Sequence, residues 1–258
     1  MGPRNEDHQD PATRRREGVV SRSEPEEAEA AMQRHVDEEY DLVRQLLLSM
    51  GGRVEEMVAK ATRALIDRDT EVARLVVAED REVDAMEKRI DEECLTLLAR
   101  QQPAARDLRF LVAVMKITND LERIGDSAAN ISRSVIGLNN EPPVETGVDI
   151  PQLSKAVRRM VRESLDALVK RDAELAMNVW RSDDAVDLLH KRMYRQLVQE
   201  MIEEPKRVSR ALPLLLISRN LERIADHATN IAEDVIYYVE GKDIRHSATD
   251  YGDKPEED

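Results

Sequence analysis

Apolar side chains recur at intervals of three and four along most of this chain, the period of an α-helix turning once per 3.6 residues. Val36, Tyr40, Val43, Leu47, Met50, Val54, Met57 and Ala61 form one such stripe and predict a long first helix from Gln33 to about Asp67. Gly51 and Gly52 interrupt it, each about 1 kcal/mol less favourable in a helix than Ala, which predicts a bend or a close neighbour. Asp69 and Thr70 are cap residues for a second helix, about Glu71 to Arg100. Its seam reads Val76, Asp80, Val83, Glu87, Ile90, Cys94, Leu97, two acids among apolar positions. Pro103 breaks the chain, and a third helix runs from about Ala105 to Gly137.

The pattern then repeats. Residues 138–149 hold Asn139, Asn140, Pro142, Pro143 and Gly147, a linker composition. Beyond it Arg158 to Leu168 aligns with Glu55 to Leu65, and Lys170-Arg171-Asp172 aligns with Asp67-Arg68-Asp69. A fifth helix, about Ala173 to Glu203, sets Asp183, Val186, Asp187 and Met193 where the second sets Asp80, Val83, Asp84 and Ile90. Pro205 mirrors Pro103, and a sixth helix covers about Lys206 to Glu240, with Pro213 predicting a late start or a kink. A period near 100 residues with three long helices in each is too long for a solenoid, and predicts an all-α fold of two tandem, pseudo-symmetric three-helix bundles. The boundaries that follow are a disordered arm at 1–31, a first bundle at 32–137, a linker at 138–149, a second bundle at 150–241 and a polar acidic tail at 242–258.

The third and sixth helices carry the closest copies, ITNDLERIGDSAANI from Ile117 and ISRNLERIADHATNI from Ile217. Leu121, Ile124, Ala128, Ile131 and Val135 face inward in the first, Leu221, Ile224, Ala228, Ile231 and Val235 in the second. Packing explains why that stripe repeats. It does not explain why the opposite face repeats too, with Glu122, Asp126 and Asn130 matched by Glu222, Asp226 and Asn230. Carboxylates at i and i+4 stand together on one helix face and can chelate one hard or borderline cation or bridge two; in a charge-rich chain the same spacing also describes a solvated face paired with Arg123 or Arg223. Asp80, Asp84, Asp183 and Asp187 form a second acid set able to face the first, or else to bridge to Arg109 or another long basic side chain. Asn130 and Asn230 could add an amide oxygen or make surface hydrogen bonds. His227 follows Asp226, but its counterpart is Ser127. His190 follows Asp187 by three, without the remaining ligands of a ferritin-like di-iron site.

Composition narrows the class further. Charged residues make up 36% of the 258 residues and aromatics 3%, which suits helical bundles over sheets. A net charge of −14 argues against general nucleic-acid binding. The single cysteine, Cys94, sits in an apolar stripe and permits no internal disulfide, in keeping with a reducing cytoplasm. No phosphate loop, serine nucleophile motif or cysteine nucleophile is present, so no catalytic residue is assigned and direct phosphate binding is not expected. No stretch is apolar for long enough to span a bilayer.

The paired LERIGD and LERIAD helices, the stretch IDEECLTLLARQQPAARDLR from Ile90 to Arg109, the Met50-Gly51-Gly52 triplet and YYVEGKDIRH from Tyr237 to His246 together resemble the PhoU family of phosphate-specific transport accessory proteins. The resemblance runs from about Arg34 to His246. It implies a cytoplasmic, commonly homodimeric, non-enzymatic regulator of phosphate uptake and signalling. When phosphate is plentiful it would restrain the high-affinity phosphate ABC transporter, through the ATPase subunit, and a phosphate-responsive sensor histidine kinase, reaching the membrane only through partners. Some members bind iron or zinc clusters, magnesium or manganese at a Glu-x-x-x-Asp motif, here Glu122 with Asp126 and Glu222 with Asp226. The alternatives are a metal-binding helical protein whose purpose is the ion, or a structural helical scaffold.

Overall fold

The computed structural model describes residues 24–101, 103–141 and 148–245, with side chains from Val36 onward. Six helices account for nearly all of it: α1 (Glu24–Asp67), α2 (Thr70–Arg100), α3 (Ala105–Leu138), α4 (Ile150–Lys170), α5 (Ala173–Glu203) and α6 (Val208–Glu240). No strand occurs among the described residues. The described residues up to Tyr40 belong to a small unit of their own, and the packing and sites described below are those of the compact unit from Asp41 onward.

One boundary differs from the sequence expectation, and another follows it. The first helix begins at Glu24, inside the arm expected to be disordered, because Glu24 to Ala31 is rich in Glu and Ala, strong helix formers that need no apolar period. The rest of that arm, most of the 138–149 linker and the tail from His246 lie outside the described residues. The sixth helix starts late, as Pro213 predicts: Pro205–Arg207 form a 3-10 turn and the α-helix proper begins at Val208 with Pro213 in its second turn.

The helix ends show the duplication at atomic detail. Arg68 and Arg171 both adopt left-handed backbone, at φ 55° and 52°, ending α1 and α4. Each is followed by an aspartate that caps the next helix: Asp69 accepts from the amides of Glu71 and Val72, and Asp172 from that of Leu175, all at 3.0 Å. Arg68 tolerates its backbone because its guanidinium bonds the Leu138 and Glu141 carbonyls beyond α3. Arg171 stacks on the Tyr238 ring near the end of α6.

Both apolar stripes of the motif helices are fully buried, including Leu121, Ile124, Ile131, Leu221, Ile224 and Ile231. At about 1.5–3 kcal/mol per large side chain, this burial is the main force ordering the bundles. Cys94 is also buried, with its thiol pushed up to about 12 by desolvation, an inert core residue. At the glycine pair, a Cβ on Gly51 would meet Leu165 Cδ2 of α4 at 2.9 Å, while Gly52 faces open space. Gly51 therefore marks a close helix approach, and Gly52 has no such role.

The motif helices α3 and α6 also pack extensively on each other. Lys116 bonds Asp234 at 3.1 Å, and Asp120 receives His227 Nδ1 at 2.8 Å and Asn230 Nδ2 at 3.1 Å. Rising numbers on one helix meet falling numbers on the other, so the two run antiparallel, the arrangement produced by a pseudo-twofold axis perpendicular to them.

Candidate functional site

Each repeat gathers its acids in the seam between its second and third helices. In the second repeat, α5 supplies Asp183 and Asp187 from one face, spaced i and i+4, and α6 supplies Glu222 and Asp226. One carboxylate oxygen from each of Asp183, Asp187 and Asp226 lies within 4.8 Å of the other two, the one such group of three among the described residues. Thr229 donates to Asp183 at 3.2 Å. Glu222 is pushed up by desolvation and then by the charges of Asp187 and Asp183. Asp226 is pushed up to about 6 by desolvation, then by Glu222 and Asp187. His190, one turn beyond Asp187, is held low by burial, and its Nδ1 has no hydrogen-bond partner. These are carboxylates short of positive charge, although Arg219 and Arg223 border the group.

The first repeat assembles the matching residues and then answers them differently. Asp80 and Asp84 on α2 approach Glu122 and Asp126 on α3, and Asp80 and Glu122 are pushed up, first by desolvation and then by the charges of neighbouring acids including Asp84 and Asp126. Glu87 joins them where the second repeat has His190. Here, however, Arg133 enters: it bonds Asp80 at 3.0 Å and Asn130 Oδ1 at 2.7 Å, and stands 3.9 Å from Asp126. The matching residue of α6 is Glu233, which accepts a bond from the Trp180 indole at 3.1 Å and cannot serve as a counter-charge.

The residues singled out by sequence are thus brought together within each repeat and kept apart between repeats. One expectation needs correcting. The acids of α3 and α6 do not simply face away from the core: α2 and α5 cover part of that side, leaving the Glu122 side chain 18% exposed. The ion pair expected as the alternative for Asp80 is present, and of the partners allowed there it is another long basic side chain, Arg133, that makes it, while Arg109 lies against Gly241 at the far end of α6. Asn130 serves Arg133, and Asn230 bonds Asp120 across the repeat interface. Sequence reading passed over Arg133 because it lies beyond the copied core of the motif; the Arg133 and Glu233 mismatch at matching positions was its visible signal.

An all-oxygen set of three aspartates with a neighbouring glutamate suits a hard divalent cation such as magnesium or manganese, and a bound ion would supply the positive charge that these acids lack. The second repeat fits such an ion. In the first, the Arg133 guanidinium already bonds two of the acceptors, Asp80 and Asn130, and supplies a positive charge there.

Comparison with known proteins places this geometry in context. The model of the PhoU domain matches twice, over residues 47–135 and 150–235. The phosphate-specific transport system accessory protein PhoU homolog of Pseudomonas aeruginosa is 45% identical over 217 residues, spanning 82% of this chain and 90% of that protein. Its Escherichia coli relative, the phosphate-specific transport system accessory protein PhoU, is 34% identical, spanning 84% and 90%. The crystal structure of PhoU from Pseudomonas aeruginosa superposes with a TM-score of 0.78 at 45% identity, covering 80% of this chain and 99% of that one. The phosphate transport system regulatory protein PhoU from Streptococcus pneumoniae gives 0.74 at 29% identity, covering 81% and 98%.

Proposed function

Because the chain belongs to the PhoU family of phosphate transport accessory proteins, we propose that it is a non-enzymatic regulator that restrains a high-affinity phosphate ABC transporter and the phosphate-responsive sensor kinase when phosphate is plentiful. The observation that carries this reading is the double match over nearly the whole helical unit, together with two acid-lined seams that core packing does not require. A rigid body with repeated charged faces acts by binding one state of its partners more tightly than another, which shifts their equilibrium without chemistry of its own. The partners in this reading are the transporter's ATPase subunit and the sensor histidine kinase, with the regulator itself a homodimer. No helix among the described residues is long and apolar enough to cross a membrane, so contact with the transporter runs through its peripheral parts.

A deletion strain tests this directly. Loss of the gene is expected to release phosphate-repressed genes at high phosphate, and the purified chain is expected to retain the cognate ATPase subunit or the kinase's cytoplasmic region in pull-down. Normal repression in the deletion strain, with neither partner retained, would sink the reading. A second reading, a protein whose purpose is the cation itself, is favoured by the Asp183, Asp187 and Asp226 geometry alone. Variants of those residues separate the two, since a variant blind to cations that still represses detaches the ion from regulation.

A further inference from the structure

We propose that a groove along the N-terminal two-thirds of α4 docks an acidic amphipathic helix of a partner protein. Lys155, Arg158, Arg159 and Arg162 stand at i, i+3, i+4 and i+7 and so share one exposed stripe of α4. None of the four has a carboxylate partner among the described residues, in a chain with 53 acids against 39 Lys and Arg. Like charges three and four residues apart weaken a helix by a few tenths of a kcal/mol per pair, so the stripe is kept against local stability. All four border a groove of about 610 Å³ between α4, α1 and α5. Its floor is apolar, with Val58 and Ala59 from α1, Ala156 and Val161 from α4, and Leu189 from α5. Arg158 also borders an adjoining groove along α1 that holds Arg63 and Ile66, the latter 52% exposed, together with Lys60 and the acids Glu56 and Asp67, so the purely basic wall ends at Arg158.

An apolar floor with four cations on its α4 wall and a single acid, Glu55, on its α1 wall fits a helix whose leucine-like stripe lies on the floor while flanking Asp and Glu meet the guanidinium groups. A lipid surface fits less well. The groove is concave, and a chain carrying −14 overall is repelled by an anionic bilayer at every distance where its total charge is felt. This inference deepens the docking role proposed above by naming the chemistry of one partner segment and the surface that takes it.

The test is fluorescence anisotropy on the full chain with a labelled peptide in which a leucine stripe is flanked by glutamates. Controls are the same peptide with lysines for glutamates, phosphatidylglycerol vesicles, and a peptide of the chain's own acidic residues 246–258. The glutamate peptide alone is expected to bind, more weakly as salt rises. Arg158→Glu/Arg162→Glu is expected to weaken it roughly tenfold or more, with helical circular dichroism intact. Arg192→Glu/Arg195→Glu, exposed on α5 and equal in net charge, is expected to leave binding unchanged. Equal loss in both double variants, capture of the vesicles in place of the peptide, preference for the 246–258 peptide, or no binding at all each overturns the proposal. Repeating the partner pull-down with Arg158→Glu/Arg162→Glu separates the two readings. A cognate partner still retained leaves the docking role standing and removes this groove from it. Glutamate peptide bound by a chain that retains neither partner does the reverse.

Discussion

Lys116→Leu is expected to destabilise the chain by about 2 kcal/mol near pH 7.5, lowering Tm by roughly 4–8 °C for a protein of this size. Asp234 is buried on α6 at 4% exposure, and Lys116, reaching across from α3, gives it a direct ion pair at 3.1 Å. Removing the ammonium leaves a carboxylate in the interface between the repeats with its desolvation uncompensated. The full cost of a broken buried pair, about 3–5 kcal/mol, is not reached because the lysine itself is 34% exposed and water can enter where it stood. The loss also carries a pH signature. Burial already raises the Asp234 carboxyl above its ordinary value, with Lys116 opposing the shift. A carboxyl raised in the folded state favours folding while protonated, below its unfolded pKa, and forfeits that advantage as pH rises through its folded value. Without Lys116 the shift grows, so the deficit of the variant should be large at pH 8 and small near pH 4. Thermal melts at both pH values check this; a deficit independent of pH would mean that packing, not charge, is what Lys116 supplies.

The pseudo-symmetry offers its own rescue. The crossing related by the axis places Leu216 where Lys116 would be and Ser134 where Asp234 would be, and both border one groove with Arg133 and Arg219. The chain thus solves the same helix crossing twice, once with a buried ion pair and once with an apolar side chain and a hydroxyl that bonds its own helix at Asn130 O. Lys116→Leu/Asp234→Ser should accordingly regain most of the lost stability. Such non-additivity is expected of two residues in direct contact.

These residues also mark where sequence reading stops. Helix number, order and approximate ends were legible because each helix has one buried stripe and a punctuating Pro, Gly or capping Asp, all local signals. The inward positions of both motif helices follow from the 3.6 period and are buried as the period requires. The acid sets were legible as sets because they repeat. What no local pattern contains is which face of α3 meets α2, and therefore that Arg133 swings into one acid seam while Glu233 turns to Trp180 in the other. Lys116 and Asp234 lie 118 positions apart and have no counterpart pair to advertise them. Symmetry made the common features visible, and the departures from it are what the folded chain alone supplies.

The largest of those departures bears on cations. Titrated with manganese and followed calorimetrically, the chain is expected to take one ion, at Asp183, Asp187 and Asp226, and to gain about 2.7 kcal/mol of stability when free metal is 100-fold above Kd. Asp183→Asn/Asp187→Asn removes two charged oxygens from the set and should weaken binding by roughly 10–100-fold or more, since affinity at oxygen sites follows ligand charge. In the first repeat an incoming ion must displace Arg133, forfeiting a charge-assisted bond of about 1.5–3 kcal/mol, reduced by the side chain's partial exposure, and must then sit beside a guanidinium. Arg133→Glu, which copies Glu233, takes away that internal counter-ion and should raise the stoichiometry from one to two. It should also make the apo chain less stable at neutral pH, because Asp80, Asp84, Glu122 and Asp126 then face one another with Arg123 as the nearest cation on α3. Two ions in the unaltered chain, or one ion in Arg133→Glu, would show that the guanidinium does not govern occupancy. The paired outcome, weaker without metal and doubly loaded with it, follows only if Arg133 holds the place that a cation takes in the other half.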